Sequence, residues 1–345
     1  MRNAQNTVYK LASFIGLMLW ASGAYSQEFT FDQFYPNRVR FNPAYAGSEY
    51  YQHVSAVTRY QYPGLGDPYT TYGVSYDAYV ESIRSGFAVL VTRDAQGDGY
   101  YNRNYFDFAY TYQIRATREL VIRPAFQVGV GYYQTNPTNL RFPDMYDNAG
   151  NVGSITGYPS QTRTLYDVSG GALMSYKSFY AGIAVHHILE PTEYSTPVGA
   201  FRIPRKITIH AGYAIPLESG IRFRYRKKFG HSRIGRVEAY PTTVIEIQNG
   251  QTRAQLGGFI VLESAFIGGL LKNTFPDGDF RAAFIFGYYT RNINFGYSFD
   301  LGSLNGQLFG LNTTIHEVTF TMKMEYKKLK RKYWWERKAI FGPEY

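Results

Sequence analysis

An acyl-transfer site needs a nucleophile, a base and an orienting carboxylate that converge, so the six histidines of this 345-residue chain are the first residues to weigh. They are His53, His186, His187, His210, His231 and His316, and no serine sits in a Gly-x-Ser-x-Gly setting. His186 and His187 are adjacent, so on a strand their rings are expected on opposite faces, unable to share a ligand. There is no His-Glu-x-x-His and no carboxylate pair at helical spacing. The run Asp94-Ala95-Gln96-Gly97-Asp98-Gly99 has calcium-friendly oxygens but lacks the alternating ligands of an EF-hand loop, and is expected to be a turn. Gly129 and Gly131 are spaced as strand residues and not as a phosphate-binding loop. The residues thus point away from an enzyme and imply neither metal nor cofactor.

Two basic stretches are the other candidates for chemistry. Arg222, Arg224, Arg226, Lys227 and Lys228 lie in a segment with no acid between Ser219 and Val237. Lys327, Lys328, Lys330, Arg331 and Lys332 run up to Trp334 and Trp335 near the end of the chain. Three readings stand for them: anionic lipid headgroups with the tryptophans at the interface, a periplasmic protein partner, or a solvated tail. Nucleic acid is not expected, because the chain opens like a secreted one. Arg2 and Lys10 flank an apolar run, Leu11 to Ala24, and Ala24-Tyr25-Ser26 suits signal-peptidase cleavage before Gln27. Losing residues 1–26 lowers the formal charge from +10 to +8.

The elements that must carry these residues alternate with a period of two. Tyr72, Val74, Tyr76, Ala78 and Val80 interleave with Thr71, Gly73, Ser75, Asp77 and Tyr79. Phe106, Phe108, Tyr110, Tyr112 and Ile114 interleave with Asp107, Ala109, Thr111, Gln113 and Arg115. Such strands have one greasy, aromatic face and one polar face. The pattern predicts fourteen strands: 51–61, 69–80, 84–93, 104–115, 119–133, 164–175, 179–189, 205–215, 237–247, 252–261, 265–272, 280–289, 292–300 and 316–326. Aromatics make up 18% of the chain and are mostly Tyr, cysteine is absent, and mean hydropathy is −0.32. Short turns such as 81–84, 116–118, 177–178, 263–264 and 290–291 alternate with connections expected to be longer (1–2, 3–4, 5–6, 7–8, 11–12 and 13–14). The tight 9–10 turn and long 8–9 connection depart from this rule. Together these features predict an all-β transmembrane antiparallel barrel with both termini in the periplasm. Its parts are a signal peptide 1–26, a barrel 27–326 whose segment 27–50 either tucks into the lumen or leads in as a plain loop, and a periplasmic tail 327–345.

Two motifs bracket the mature chain. Gln33-Phe34-Tyr35 followed by Asn42-Pro43-Ala44-Tyr45-Ala46-Gly47 opens it, and Gly296-Tyr297-Ser298-Phe299-Asp300 followed by His316-Glu317 closes it. Both resemble the PorP/SprF family of type IX secretion membrane proteins. The resemblance implies a non-enzymatic outer-membrane barrel of a Gram-negative bacterium that serves adhesin secretion and gliding, with no known cofactor or catalytic residue. It implies outer-membrane lipid, a secreted adhesin with a type IX C-terminal signal domain, and periplasmic or outer-membrane secretion components as partners. The competing reading is a transporter or diffusion channel through the polar lumen.

Overall fold

The computed structural model describes residues 28, 30–33, 35–49, 51–65, 68–97, 100–136, 160–196, 199–217, 237–262, 264–276, 278–290, 292–304 and 313–324. The first thirty residues, of which Glu28 and Thr30 are described, cluster as a unit separate from 31–345.

The larger unit is a closed barrel of fourteen antiparallel strands. They are β1 (Gln52–Gln61), β2 (Tyr69–Val80), β3 (Ser85–Gln96), β4 (Tyr101–Tyr112, continued by Ile114–Arg115), β5 (Leu120–Thr135), β6 (Gln161–Tyr176) and β7 (Phe179–His186). Then follow β8 (Lys206–Tyr213, continued by Ile215–Leu217), β9 (Val237–Gln248), β10 (Gln251–Leu262), β11 (Ala265–Phe275), β12 (Asp279–Tyr289), β13 (Ile293–Ser303) and β14 (Ile315–Met324). Each strand pairs with its sequence neighbours, and β14 closes on β1 in register from Gln52↔Met324 to Gln61↔Ile315. Closure leaves no edge of unpaired backbone, which is what a sheet in hydrocarbon requires.

Burial is inverted relative to a soluble sheet. His53, Ser55 and Arg59 on β1, Asp77 on β2, Asp107 on β4 and Glu317 on β14 are buried, while Val74, Phe106, Phe126, Leu256, Ile267 and Phe284 are exposed. On most strands a polar set faces the lumen and a greasy set faces out, as a lipid-exposed barrel demands, while β10–β12 also turn Phe259, Val261, Phe266, Leu270 and Ile285 inward. Among the described residues no helix is long and apolar enough to cross a membrane.

All fourteen expected strands are present, but their ends correct three expectations. β3 runs on to Gln96 and β4 starts at Tyr101, so the 3–4 connection is tight, as is the 11–12 connection between Phe275 and Asp279. Asp94 belongs to β3, where its carboxylate accepts from the Thr71 hydroxyl at 2.7 Å and from Gln96 Nε2 at 2.9 Å. Polar residues look like loop composition, yet in a barrel they are also the inner face of the strand. Second, β7 stops at His186; His187 takes a left-handed φ of +56°, and both histidines are buried with ring centroids 6.4 Å apart. They do not point to opposite faces of a strand, because the strand has ended. Third, the 7–8 connection is not a bare loop but carries a small hairpin, Thr192–Thr196 with Gly199–Arg202.

The 9–10 turn is as expected. Gln248 pairs with Gln251 across Asn249 (φ +51°) and Gly250 (φ +78°), the double left-handed geometry of a type I′ hairpin. The expected strand end at 326 and both basic stretches lie outside the described residues.

The inside-out pattern makes a measurable demand. Val74→Arg, on the outer face of β2, is expected to lower barrel stability by about 2–4 kcal/mol if it sits near mid-membrane. Denaturant titration of the barrel refolded into lipid vesicles would measure it.

Candidate functional site

Residues 31–33 and 35–49 of the chain lie inside the lumen as a plug, packed and hydrogen-bonded to inward-facing wall residues. Local chemistry shapes this plug before the barrel wall receives it. Arg38–Phe41 form one helical turn. Pro43 then holds Asn42 extended (φ −152°, ψ 120°), and the Asn42 side-chain oxygen caps the following 3₁₀ turn by accepting from the Ala44 N–H at 2.9 Å. Gly47 reverses the chain at φ +57°, where an added Cβ would lie 2.5 Å from the Ala78 carbonyl oxygen. The plug's apolar residues Val39, Phe41, Ala44, Tyr45 and Ala46 make one core with the inward-facing Ala88, Leu90, Ala109, Leu173 and Val244 of the wall.

Four polar anchor groups fix it. Near the rim that carries the 13–14 connection, Glu317 accepts from the backbone N–H of Asp32 (2.9 and 3.0 Å) and of Gln33 (3.0 Å). The Asp32 carboxylate meets Lys272 Nζ at 2.6 Å, and Lys272 also pairs with Asp300, which Arg281 contacts at 3.2 Å. The Gln33 side chain donates to Ser298 Oγ and the Glu317 carbonyl, both at 3.2 Å, and accepts from Thr319 Oγ1 at 2.9 Å.

Deeper in, Asn42 Nδ2 donates to the carbonyls of Ala172 (3.3 Å) and Ile183 (3.2 Å) and lies 3.1 Å from His210 Nε2. Tyr45 Oη meets the other nitrogen of that ring at 3.1 Å. Gly171 and Gly182 on the wall leave the room that Asn42 and His210 occupy.

Arg123 holds the turn after Tyr45. Its guanidinium donates to the carbonyls of Ala46 (3.2 Å), Gly47 (2.6 Å) and Ser48 (3.2 Å) and to Gln113 Oε1 (2.9 Å).

The fourth group is a cluster of charges at the opposite end. Arg38 pairs with Glu49 and lies 3.7 Å from Asp77; His53 Nε2 is 2.5 Å from Glu49; Lys323 Nζ is 3.4 Å from Glu49. Beside it is a cavity of about 40 Å³, lined by Tyr35, Phe266 and Phe295 as well as by Arg38, Glu49 and His53, and large enough for water. Burial pushes the Glu49 carboxyl up, but Arg38, His53 and Lys323 outweigh it and hold the group well below the usual carboxylate range.

The first part of the opening motif, at Gln33, therefore meets the closing motif, while its Asn42–Gly47 part is received by other strands. Gln33 and Asn42 are on the plug, Glu317 and Asp300 are on the wall that receives it, and Tyr35 packs against Phe259 and Phe266 across the lumen. Tyr297 Oη reaches His316 Nδ1 at 2.7 Å on the neighbouring strand and takes no part in the plug. Phe34 lies outside the described residues, as do Arg222, Arg224, Arg226, Lys227, Lys228, Lys327, Lys328, Lys330, Arg331, Lys332, Trp334 and Trp335. Arg123 and Lys272 were not singled out from sequence, and His53 and Asp77 were named only as one of six histidines and as one residue of a strand's polar face. Their signal was present, as charges at inward positions of otherwise greasy strands, but nothing in one strand says which plug residue it meets. Among the described residues no group of three or more metal-type side chains converges.

The chain matches the family of type IX secretion system membrane proteins PorP/SprF over residues 24–322. No curated protein matches it. Among solved structures, it is similar to the outer membrane protein Omp33 of Acinetobacter baumannii, with 10% identity and a TM-score of 0.43 over 81% of this chain and 100% of that one. The P. putida toluene transporter TodX gives 11% identity and a TM-score of 0.44, over 83% and 93% of the two chains. The CymD monoaromatic hydrocarbon channel gives 9% and 0.46, over 85% and 94%. These likenesses are loose.

Two outcomes follow for the plug. Arg123→Leu leaves three buried carbonyls without this donor, and a loss of about 1–3 kcal/mol for each one left unsatisfied is expected, read as a lower denaturant midpoint. Acid acts through Glu49. Its folded pKa lies below its unfolded value of about 4.3, so its contribution is full above that pH and fades as pH falls through the folded value. Protease accessibility of 31–49 should therefore rise on acidification below about pH 4, and a Glu49→Gln barrel should lose that part of the dependence.

Proposed function

The chain belongs to the PorP/SprF family of type IX secretion system membrane proteins, and we propose that it is a docking barrel of that system in the outer membrane, not a conduit. In this reading it is non-enzymatic. It helps export or anchor a surface adhesin, holding the cargo at the outer rim and secretion components at the periplasmic rim. The observation that supports this most is the plug inside the lumen. A segment anchored by buried ion pairs on several strands occupies the space a diffusing solute would need. Removing such a plug would strand several charges at once, each at a cost of about 3–5 kcal/mol.

The parity of fourteen strands puts both barrel termini on one side, which we take as the periplasm. The segment 218–236 and the residues after β14 then leave on that same side. Their basic residues are the part of the chain we assign to secretion components or to anionic lipid.

Pull-down from detergent-solubilised outer membranes, with and without residues 327–345, tests the reading. Recovery of a large surface protein with a secretion signal domain is the expected result, and loss of the periplasmic components is expected on truncation. Steady solute conductance of the intact barrel in planar bilayers, with no partner recovered, would replace docking with the channel reading.

A further inference from the structure

At the rim away from the start of β1, β6 overshoots β7. The sixteen residues of β6 pair with β5 throughout, while β7 pairs with β6 only from Gly170 to Tyr176. The 187–205 segment between β7 and β8 stands beside this step as a strap. Its hairpin forms a two-stranded sheet of its own, apart from the barrel ladder. Several of its bonds are internal: Ile203 N–H to the Pro191 carbonyl, Arg205 to the Ile188 carbonyl, and Arg205 to Glu190.

Its polar hold on the far wall is Glu193. Arg103 of β4 donates to Glu193 Oε1 from Nη2 at 2.6 Å and from Nε at 3.0 Å, and both side chains are nearly buried. The guanidinium lies over the Tyr101 ring at 4.6 Å and within 5.7 Å of the Tyr133 ring, and Nε also donates to Tyr101 Oη at 3.0 Å. Ile203, Leu165 and Tyr105 supply an apolar wall next to it. The Tyr101 and Tyr133 rings meet edge to face, 65° apart, and a guanidinium beside them with apolar surface next to it can recognise a carboxylate on an extended peptide. Here the carboxylate comes from a strap that the barrel does not need for closure.

We propose that the Arg103–Tyr101–Tyr133 clamp is a binding site for an acidic peptide, and that Glu193 occupies it until such a peptide takes its place. The strap is then an autoinhibitory arm at the outer rim. The identity of the natural partner rests on the docking reading above; the clamp itself does not. Asp94 of β3 stands opposite Arg103 in the ladder, but its two carboxylate oxygens accept from the Thr71 hydroxyl and from Gln96 Nε2, and Asp107 of β4 lies 3.5 Å from Arg40 of the plug.

The test uses the full-length chain in detergent micelles and a fluorescein-labelled peptide of alternating Glu and Val, with a Gln-for-Glu peptide as control, read by fluorescence anisotropy. Glu193→Gln empties the clamp of its resident charge, and Glu193→Ala is a second route to the same state. If the resting clamp is open in about one molecule in ten, either variant should bind about tenfold tighter than the native chain. Arg103→Gln added to Glu193→Gln should abolish the gain, and the Gln peptide should not respond. Heat-modifiable migration on gels reports that each variant is folded. A folded Glu193→Gln barrel that binds no tighter overturns the proposal, as does equal gain in the double variant. If the peptide binds as expected while pull-down recovers no surface protein, the docking reading falls and the clamp stands. The reverse pattern removes the clamp alone.

Discussion

Everything in this molecule follows from the ten-residue ladder between β1 and β14. A sheet immersed in hydrocarbon cannot leave backbone groups unpaired, so the first and last strands must meet. Once they do, the outside has one solvent and the inside has another. Val74, Phe106 and Phe284 can face lipid only because Ser75, Asp107 and Ile285 face inward. The polar half of most strands is thereby committed to a confined space, and something must satisfy it.

The plug is that something. Its residues reach Glu317, Lys272, His210, Arg123 and Asp77, side chains from strands far apart in sequence. Charges that would be costly when buried alone are arranged as complementary sets, with backbone N–H groups completing Glu317 and backbone carbonyls completing Arg123's terminal nitrogens. The plug also brings its own greasy side, which packs on the small inward residues Ala88 and Ala109. It combines the role of a soluble core with that of a counter-ion for the wall.

The same reasoning explains which expectations needed correction. Strand centres were legible because the alternation there is strong. Strand ends were not, since Asp94 and Arg103 read as loop residues although they belong to strands and share the inward face. The hairpin after β7 was missed because its short strands pair with each other and lack the long alternation of a wall strand. The histidine pair was misplaced for a local reason: a single left-handed residue, His187, ends the strand between them.

From sequence alone came the number of strands, the face each would turn to lipid, and the special status of the segments around Asn42 and Glu317. Those follow from a period of two, from Pro43 and Gly47, and from motif resemblance, all of which are local. That the two motifs touch, that Asp32 shares Lys272 with Asp300, and that Glu193 sits in the Arg103 clamp were decided by tertiary structure. These contacts join residues 240, 28 and 90 positions apart, brought together by barrel closure and by the path of the plug. A strand's own pattern says which side a charge faces but carries no information about the charge it will meet there.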